Sequence, residues 1–266
     1  IMSEEQQTMT FWDHLEVLRW AIFRVLIMLL ILLVGCFVAM PHIFDRFILG
    51  PTDSSFFVYQ LLAGLGGDGT LAPDFSSDFH VDIININVAS QFLTHITTSF
   101  WISLLLVFPY LIYELWKFLR PALYDNEVKG VRAAFLSGTL LFYLGCAVGY
   151  VVVFPLTFRF LSGYTLGVEI TNQINLNSYM SMFLGMVFVM GLAFELPILA
   201  WILSRMGILN KSMLKNGRRY AIVVLLVISA VITPSGDPFT LTIVFLPLYL
   251  LYELSILVVK PAQVED

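Results

Sequence analysis

The sequence has little charge. Asp, Glu, Lys and Arg make up 12% of its 266 residues, where a soluble globular domain carries about 25%. That excludes an ordinary water-soluble domain. Cysteine is scarce as well: Cys36 and Cys146 are the two in the chain, and both fall inside apolar runs. They form neither a disulfide framework nor a thiolate metal spacing, and packing as small apolar residues is the expectation. His42, His80 and His95 share no ligand spacing. There is no H-E-x-x-H and no G-x-S-x-G, so neither a zinc nor a serine hydrolase is expected, nor any cofactor. Asp74, Asp78 and Asp82 depart from the alternation of a calcium loop. Residues 2–13 are polar and acidic where a cleavable signal peptide would be basic. The net charge of −5 decides little by itself, and no nucleic-acid partner is expected.

What remains is apolar: 59% of the residues, with a mean hydropathy of +0.86. This composition predicts an all-α membrane protein forming a single integral domain over 1–266. About twenty apolar residues cross a hydrocarbon core of about 30 Å. Six spans are expected, over about 20–40, 91–119, 133–160, 179–203, 220–233 and 239–259. Thr10 and Asp13 introduce an amphipathic helix, FWDHLEVLRW, which leads into the first span and is expected to lie along the membrane surface. Arg24 interrupts that span and is expected to snorkel to the near interface. Pro109 predicts a kink in the second span, and Pro155 is expected to close the third. The fifth span, with fourteen apolar residues, is short by about 10 Å unless flanking residues lengthen the helix.

Between the first two spans lies a long acidic loop, 41–90, whose Gly-rich GLGGDG at 64–69 marks a flexible tip. Within it HVDIININVAS alternates at period two and predicts a short strand. Six spans place both termini on one side. Twelve basic residues fall on that side, against Arg46 and Arg159 on the other. By the positive-inside rule both termini are cytoplasmic.

One polar stretch stands out: ELWKFLRPALYDNEVKGVR, residues 114–132, a hinge between the second and third spans. Its bases surround Asp125 and Glu127, an arrangement suited to a cationic ligand at a membrane face. Glu195, in FELP, reads as the one acid deep in a span, where a carboxyl is costly and functional by default. Asp237 sits between Pro234 and Pro238, positioned to cap the last helix.

Five motifs in order carry a resemblance: HLEVLR at 14–19, FPYLIYELWKFLRPALYDNE at 108–127, LLFYLGCAVGYVVVFPL at 140–156, FELP at 194–197 and TPSGDPF at 233–239. Together they resemble the TatC family, the multi-spanning receptor subunit of the twin-arginine (Sec-independent) protein translocase. Residues 56–80 lack a counterpart and read as an insertion. The resemblance implies six spans with cytoplasmic termini and a place in the bacterial inner membrane. It also implies a receptor, not an enzyme, which binds twin-arginine signal peptides of folded precursors. Export is then driven by the proton motive force, with single-span TatA/TatB-type partners and self-association in the complex.

It implies site residues too. Glu127 falls on the family's signal-contacting glutamate, and Phe118 lies in the matching stretch. In the N-terminal helix the family pattern His-Leu-any-Glu-Leu-Arg is altered: the fourth position is Val17 and the acid is Glu16. One residue on a helix is a turn of about 100°, so Glu16 projects from another face. Asp13, one turn before Val17, is the alternative second acceptor. Arg19 completes this half of the site. Two guanidiniums call for carboxylates in a fixed fork geometry, which lysine does not reproduce. For partner contact or translocation the resemblance implicates Glu195, Asp237 and Pro51. The alternative function is a proton-coupled secondary transporter using Glu195, although the halves show no internal repeat of the kind such folds carry.

Overall fold

The computed structural model describes residues 11–64, 79–120, 125–167, 172–233 and 236–259. Helices dominate, as the apolar runs require in a solvent that offers the backbone no partners. Helix α1, Phe11–Ile43, fuses the expected surface helix and first span into one rod. A short α2, Phe57–Gly64, follows in the long loop. Then come α3, Ser90–Leu119, and α4, Asp125–Val148. Next are α5, Phe154–Gly163, α6, Leu176–Ala193, and α7, Leu196–Arg205. Helices α8, Lys211–Ile232, and α9, Pro238–Val258, complete the fold. Among the described residues five segments are long and apolar enough to cross a membrane: Leu15–Thr52, Ser90–Phe118, Arg132–Gly163, Leu176–Arg205 and Pro238–Val258. Helix α8 extends the short run at 220–233 backwards through Lys211, Lys215, Arg218 and Arg219 to 22 residues, about 33 Å of helix.

Prolines inside these helices leave carbonyls without their usual donor, because Pro lacks an N–H. Pro41 orphans the carbonyl of Phe37, four residues earlier. His95 Nε2 donates to it at 2.8 Å and the two rings stack at 3.9 Å. Pro109 orphans the carbonyl of Leu105, and the Tyr143 hydroxyl of α4 donates to it at 3.0 Å. In α1 and α3 a neighbouring helix thus supplies the donor that each proline lacks. His95, which the sequence left without a role, has this one.

Pro155 does not close the third span. The chain passes from α4 into a single wide π-helical turn at Gly149–Val153 and on into α5. Pro155 then falls in the first turn of α5, where a missing N–H costs little. A second π turn, Phe44–Ile48, follows α1. The span containing Glu195 is broken: α6 ends at Ala193, and Phe194 and Glu195 form the turn that starts α7.

The core lies between α4 and α6, around the fully buried Phe142, Met186 and Met190. Glycines permit the close approach. A Cβ at Gly191 would lie 2.5 Å from Cys146 Sγ, and one at Gly145 would lie 2.5 Å from the Met190 carbonyl oxygen. Small residues let membrane helices pack backbone to backbone. Cys146 is buried in this contact as an apolar residue.

The alternating stretch yields a strand of two residues. β1, Ile83–Ile84, pairs in parallel with β2, Ile174–Asn175, and pins the two large loops together. The two edges of the expected insertion meet at its base: Ser54 N donates to the Phe79 carbonyl and Val81 N to the Thr52 carbonyl, both at 3.0 Å. Beyond this base, Phe56, Val58 and Tyr59 pack against Phe79, Tyr150, Val151 and Leu156.

Candidate functional site

The helices define two ends. One is the loop end, with α2, the strand pair and both π turns. At the other, the basic end, α1 begins and α3 finishes. Contacts fix the direction of each rod: α1 and α3 meet at Phe37 with His95 and again at Arg24 with Glu114, so they are antiparallel. Ser90, opening α3, donates to Asn177 Oδ1 at 2.6 Å at the start of α6. Phe239, opening α9, stacks on Phe160 of α5 at 4.1 Å. Both α3 and α9 thus start at the loop end and run to the basic end.

At the basic end the first predicted site residues lie on α1. Glu16 is exposed and faces Arg19 at 3.6 Å, and Arg19 lies 5.8 Å from the centroid of the Trp20 ring. An exposed pair of this kind is worth little by itself, which leaves the carboxylate available to another cation. Phe118 is half-buried in the last turn of α3. Glu127 lies on the first turn of α4 and Asp13 on the first turn of α1, and their side chains fall outside the described residues.

Glu195 lies in the turn between α6 and α7, near the middle of the apolar segment Leu176–Arg205. Its carboxyl lies against α4, where a Cβ on Gly138 would come within 3.0 Å of Oε2. Oε1 is buried and, among the described residues, has no hydrogen-bond partner. Burying a polar atom unpaired costs about 1–3 kcal/mol, a burden the fold carries here.

Asp237 caps α9. Oδ1 accepts from Thr240 N at 2.8 Å and Oδ2 from Thr240 Oγ1 at 2.5 Å. The preceding Gly236 has φ 59°, a left-handed turn that suits glycine. Pro51 is buried in a single 3₁₀ turn, Gly50–Thr52, and its carbonyl accepts from Tyr59 Oη at 2.9 Å. Pro51 and Asp237 are therefore at the loop end, and Glu16, Arg19, Phe118 and Glu127 at the basic end. The eight predicted residues do not form one cluster.

Sequence reasoning missed a second buried acid. Glu114 is 4% exposed, so Glu195 is not alone. Arg24 does not snorkel: it reaches across to α3 and grips Glu114 with both arms, Nε to Oε1 at 2.8 Å and Nη2 to Oε2 at 2.7 Å. Tyr110, one turn earlier on α3, donates to the same Oε1 at 2.9 Å. A related device, with one Arg–Glu bond in place of two, joins α8 and α9. Arg218 Nη2 donates to Glu253 Oε2 at 2.7 Å, and Tyr249 donates to Oε1 at 3.1 Å. A signal was present: YLIYEL at 110–115 and YLLYEL at 249–254 are nearly the same hexapeptide.

Comparisons with known proteins agree with this architecture. The family model described as Sec-independent protein translocase protein (TatC) matches residues 13–247. A protein of that name from Blattabacterium sp. subsp. Periplaneta americana is 32% identical over 259 residues, 96% of each chain. Its namesake from Deinococcus radiodurans is 35% identical over 184 residues, 69% of this chain and 68% of that one. Two crystal structures of the twin-arginine translocase receptor TatC superpose with TM-scores of 0.74 and 0.68, at 29% and 28% identity. They cover 93% and 92% of this chain, and 99% and 97% of theirs. The chain belongs to the TatC family: it is a multi-pass membrane protein and a component of the twin-arginine protein translocase, not an enzyme.

Proposed function

We propose that the basic end is a cytoplasmic receptor surface for twin-arginine signal peptides, in a chain of six spans in the bacterial inner membrane. The observation that carries the reading is the convergence at one end of the start of α1 and the finish of α3, which leads into α4. Glu127 accepts one guanidinium and Glu16 or Asp13 the other. Arg19, opposite Glu16, is displaced when a peptide arginine arrives, and Phe118 offers an apolar contact. Lysine in place of either arginine loses the fork and binds more weakly. The sixth span is α8, whose basic first half stays at the cytoplasmic surface while residues 220–233 enter the bilayer.

TatC membership implies a translocase complex with TatA/TatB-type partners. In the finer reading those single-span subunits meet the membrane interior at Glu195, whose unpaired Oε1 can accept a hydrogen bond. Asp237 and Pro51 act at the opposite face during translocation, and copies of the chain associate with one another. The proton motive force drives export of the folded cargo.

Site-specific crosslinking to a twin-arginine precursor tests the receptor surface. Crosslinks from positions 16, 118 and 127 are expected, lost when the two arginines become lysines. Loss of binding in Glu127→Ala, and in either Glu16→Ala or Asp13→Ala, identifies the two acceptors. Undiminished binding in all three variants would overturn the two-carboxylate site. Glu195→Gln preserves packing; normal export by that variant would exclude any role that needs its ionisation.

A further inference from the structure

The ion pair between Arg24 and Glu114 has a geometry that does more than neutralise a buried charge. Two parallel N–H to O bonds of 2.8 and 2.7 Å hold a planar guanidinium against a planar carboxylate. That geometry admits one rotation and one translation of α1 against α3. Tyr110 fixes the rotamer of the carboxylate from its own helix, at 2.9 Å. Replacing such a pair with apolar residues often leaves stability unchanged, so its distinctive contribution is register.

Register matters at this position. Toward the basic end, α1 runs from Arg24 back to Glu16, eight residues or about 12 Å of helix. In the same direction α3 runs from Glu114 to Phe118, four residues or about 6 Å, before the connection to α4. A helix that pivots or slides at the clamp carries its whole terminal arm with it.

We propose that Arg24, Glu114 and Tyr110 are positioning residues for the signal-peptide site, setting the register of the α1 arm against the end of α3. The inference rests on the receptor reading above. Neither Arg24 nor Glu114 touches the peptide. They hold the acceptor on α1 at the separation from the α3–α4 acceptor that adjacent arginines require, since a misplacement of about 1 Å is enough to weaken oriented recognition strongly. The clamp of Arg218, Glu253 and Tyr249 joins the same residue types through a single Arg–Glu bond on α8 and α9, which carry none of the proposed acceptors. It serves as an internal control.

The test uses full-length protein in nanodiscs and a fluorescent twin-arginine signal peptide. Spin labels at the exposed Leu15 and Leu115, with Cys36 and Cys146 replaced by alanine, report the separation of the arms. Glu114→Gln and Arg24→Gln are expected to broaden that distance distribution and weaken peptide binding by about tenfold. The exchange Arg24→Glu with Glu114→Arg is expected to narrow the distribution and restore most of the affinity. Glu253→Gln is expected to change neither. Wild-type affinity in Glu114→Gln overturns the proposal, and so does an equal loss in Glu253→Gln, which would mark general destabilisation. An exchange variant that regains its thermal stability but not its affinity overturns it too. If the wild-type protein binds no twin-arginine peptide, the receptor reading falls and takes this inference with it. If it binds and Glu114→Gln binds equally, only the inference falls.

Discussion

The two ends of the molecule are fastened by different chemistry. At the loop end the fasteners between helices and turns are mostly neutral hydroxyls. Tyr150 donates to the Phe47 carbonyl at 2.7 Å, Tyr179 to the Ile48 carbonyl, and Tyr59 to the Pro51 and Pro155 carbonyls at 2.9 and 3.3 Å. The rings pack edge to face, Tyr179 with Phe154 and Phe158, Tyr150 with Phe183, and Tyr59 with Phe56 and Phe79, so each tyrosine contributes a large apolar body and a single polar tip. At the basic end two Arg–Glu–Tyr clamps stand beside one such neutral bond, from Tyr252 to the Leu214 carbonyl at 2.7 Å. The difference follows from the backbone. Irregular turns at the loop end leave carbonyls that need donors, and a hydroxyl satisfies them without importing charge. The clamps at the basic end join regular helical stretches whose carbonyls are already bonded within the helix, and their charges set orientation.

The contrast predicts unequal sensitivities. The largest effect is expected for Tyr179→Ala, which removes a fully buried ring and strands the Ile48 carbonyl, at about 3–5 kcal/mol. Thermal unfolding in detergent should show it, and a near-wild-type midpoint would mean that the aromatic cluster does not hold the loop end. Tyr59→Phe keeps the ring and loses the hydroxyl bonds, with about 1–2 kcal/mol expected by the same assay. His95→Ala should cost about as much and bend α1 at Pro41, because the Phe37 carbonyl loses its donor. A label pair spanning α1 would report the bend. Glu253→Gln is expected to cost only about 0.5–1 kcal/mol, since Arg218 is 45% exposed and the pair is screened by water and salt. Raising the ionic strength should shrink that cost but leave the tyrosine penalties unchanged. Equal salt dependence at both ends would remove the distinction.

The smallest effect concerns acid. The Ser55 amide, at 2.7 Å, and then His80 hold the Asp53 carboxyl below its usual range. A carboxyl depressed on folding contributes stability that is complete above its unfolded value of about 3.9. The contribution is lost as pH falls through the lower folded value. Hydrogen exchange at the Ser55 amide, corrected for its intrinsic rate, should therefore keep its protection down to about pH 4 and lose it as the pH falls further. Asp53→Asn should speed it throughout.

Much of this architecture was legible in the sequence. The second and last apolar runs were read at 91–119 and 239–259, and helices occupy Ser90–Leu119 and Pro238–Val258, because polar residues and prolines bracket both runs. The family pattern also marked Asp237, and its capping bonds to Thr240 are those the local sequence implied. What the sequence hid were effects of long-range contact. Pro155 reads as a terminator unless one knows that a π turn before it resets the helix start. Arg24 reads as a snorkelling base unless Glu114 is known to be opposite. Glu114, next to Leu115 and Trp116 and close to Lys117, reads as part of the polar hinge and not as a buried acid. The repeated Tyr-Leu-x-Tyr-Glu-Leu was the available clue, and its meaning depends on which helix each glutamate meets.

The two π turns face each other across the loop end, joined by Tyr150 in one and Phe47 in the other. A π turn holds one residue more than the helix around it, so it works as a phase shift of about 100° for everything downstream. Deleting one residue from 149–153 would return α4 and α5 to a continuous helix with its length scarcely altered. It would also rotate the whole of α5, swinging the buried face formed by Phe154, Thr157 and Phe158 out of the core. The outer architecture is thus keyed to the number of residues in these turns as strictly as a reading frame is keyed to the number of bases.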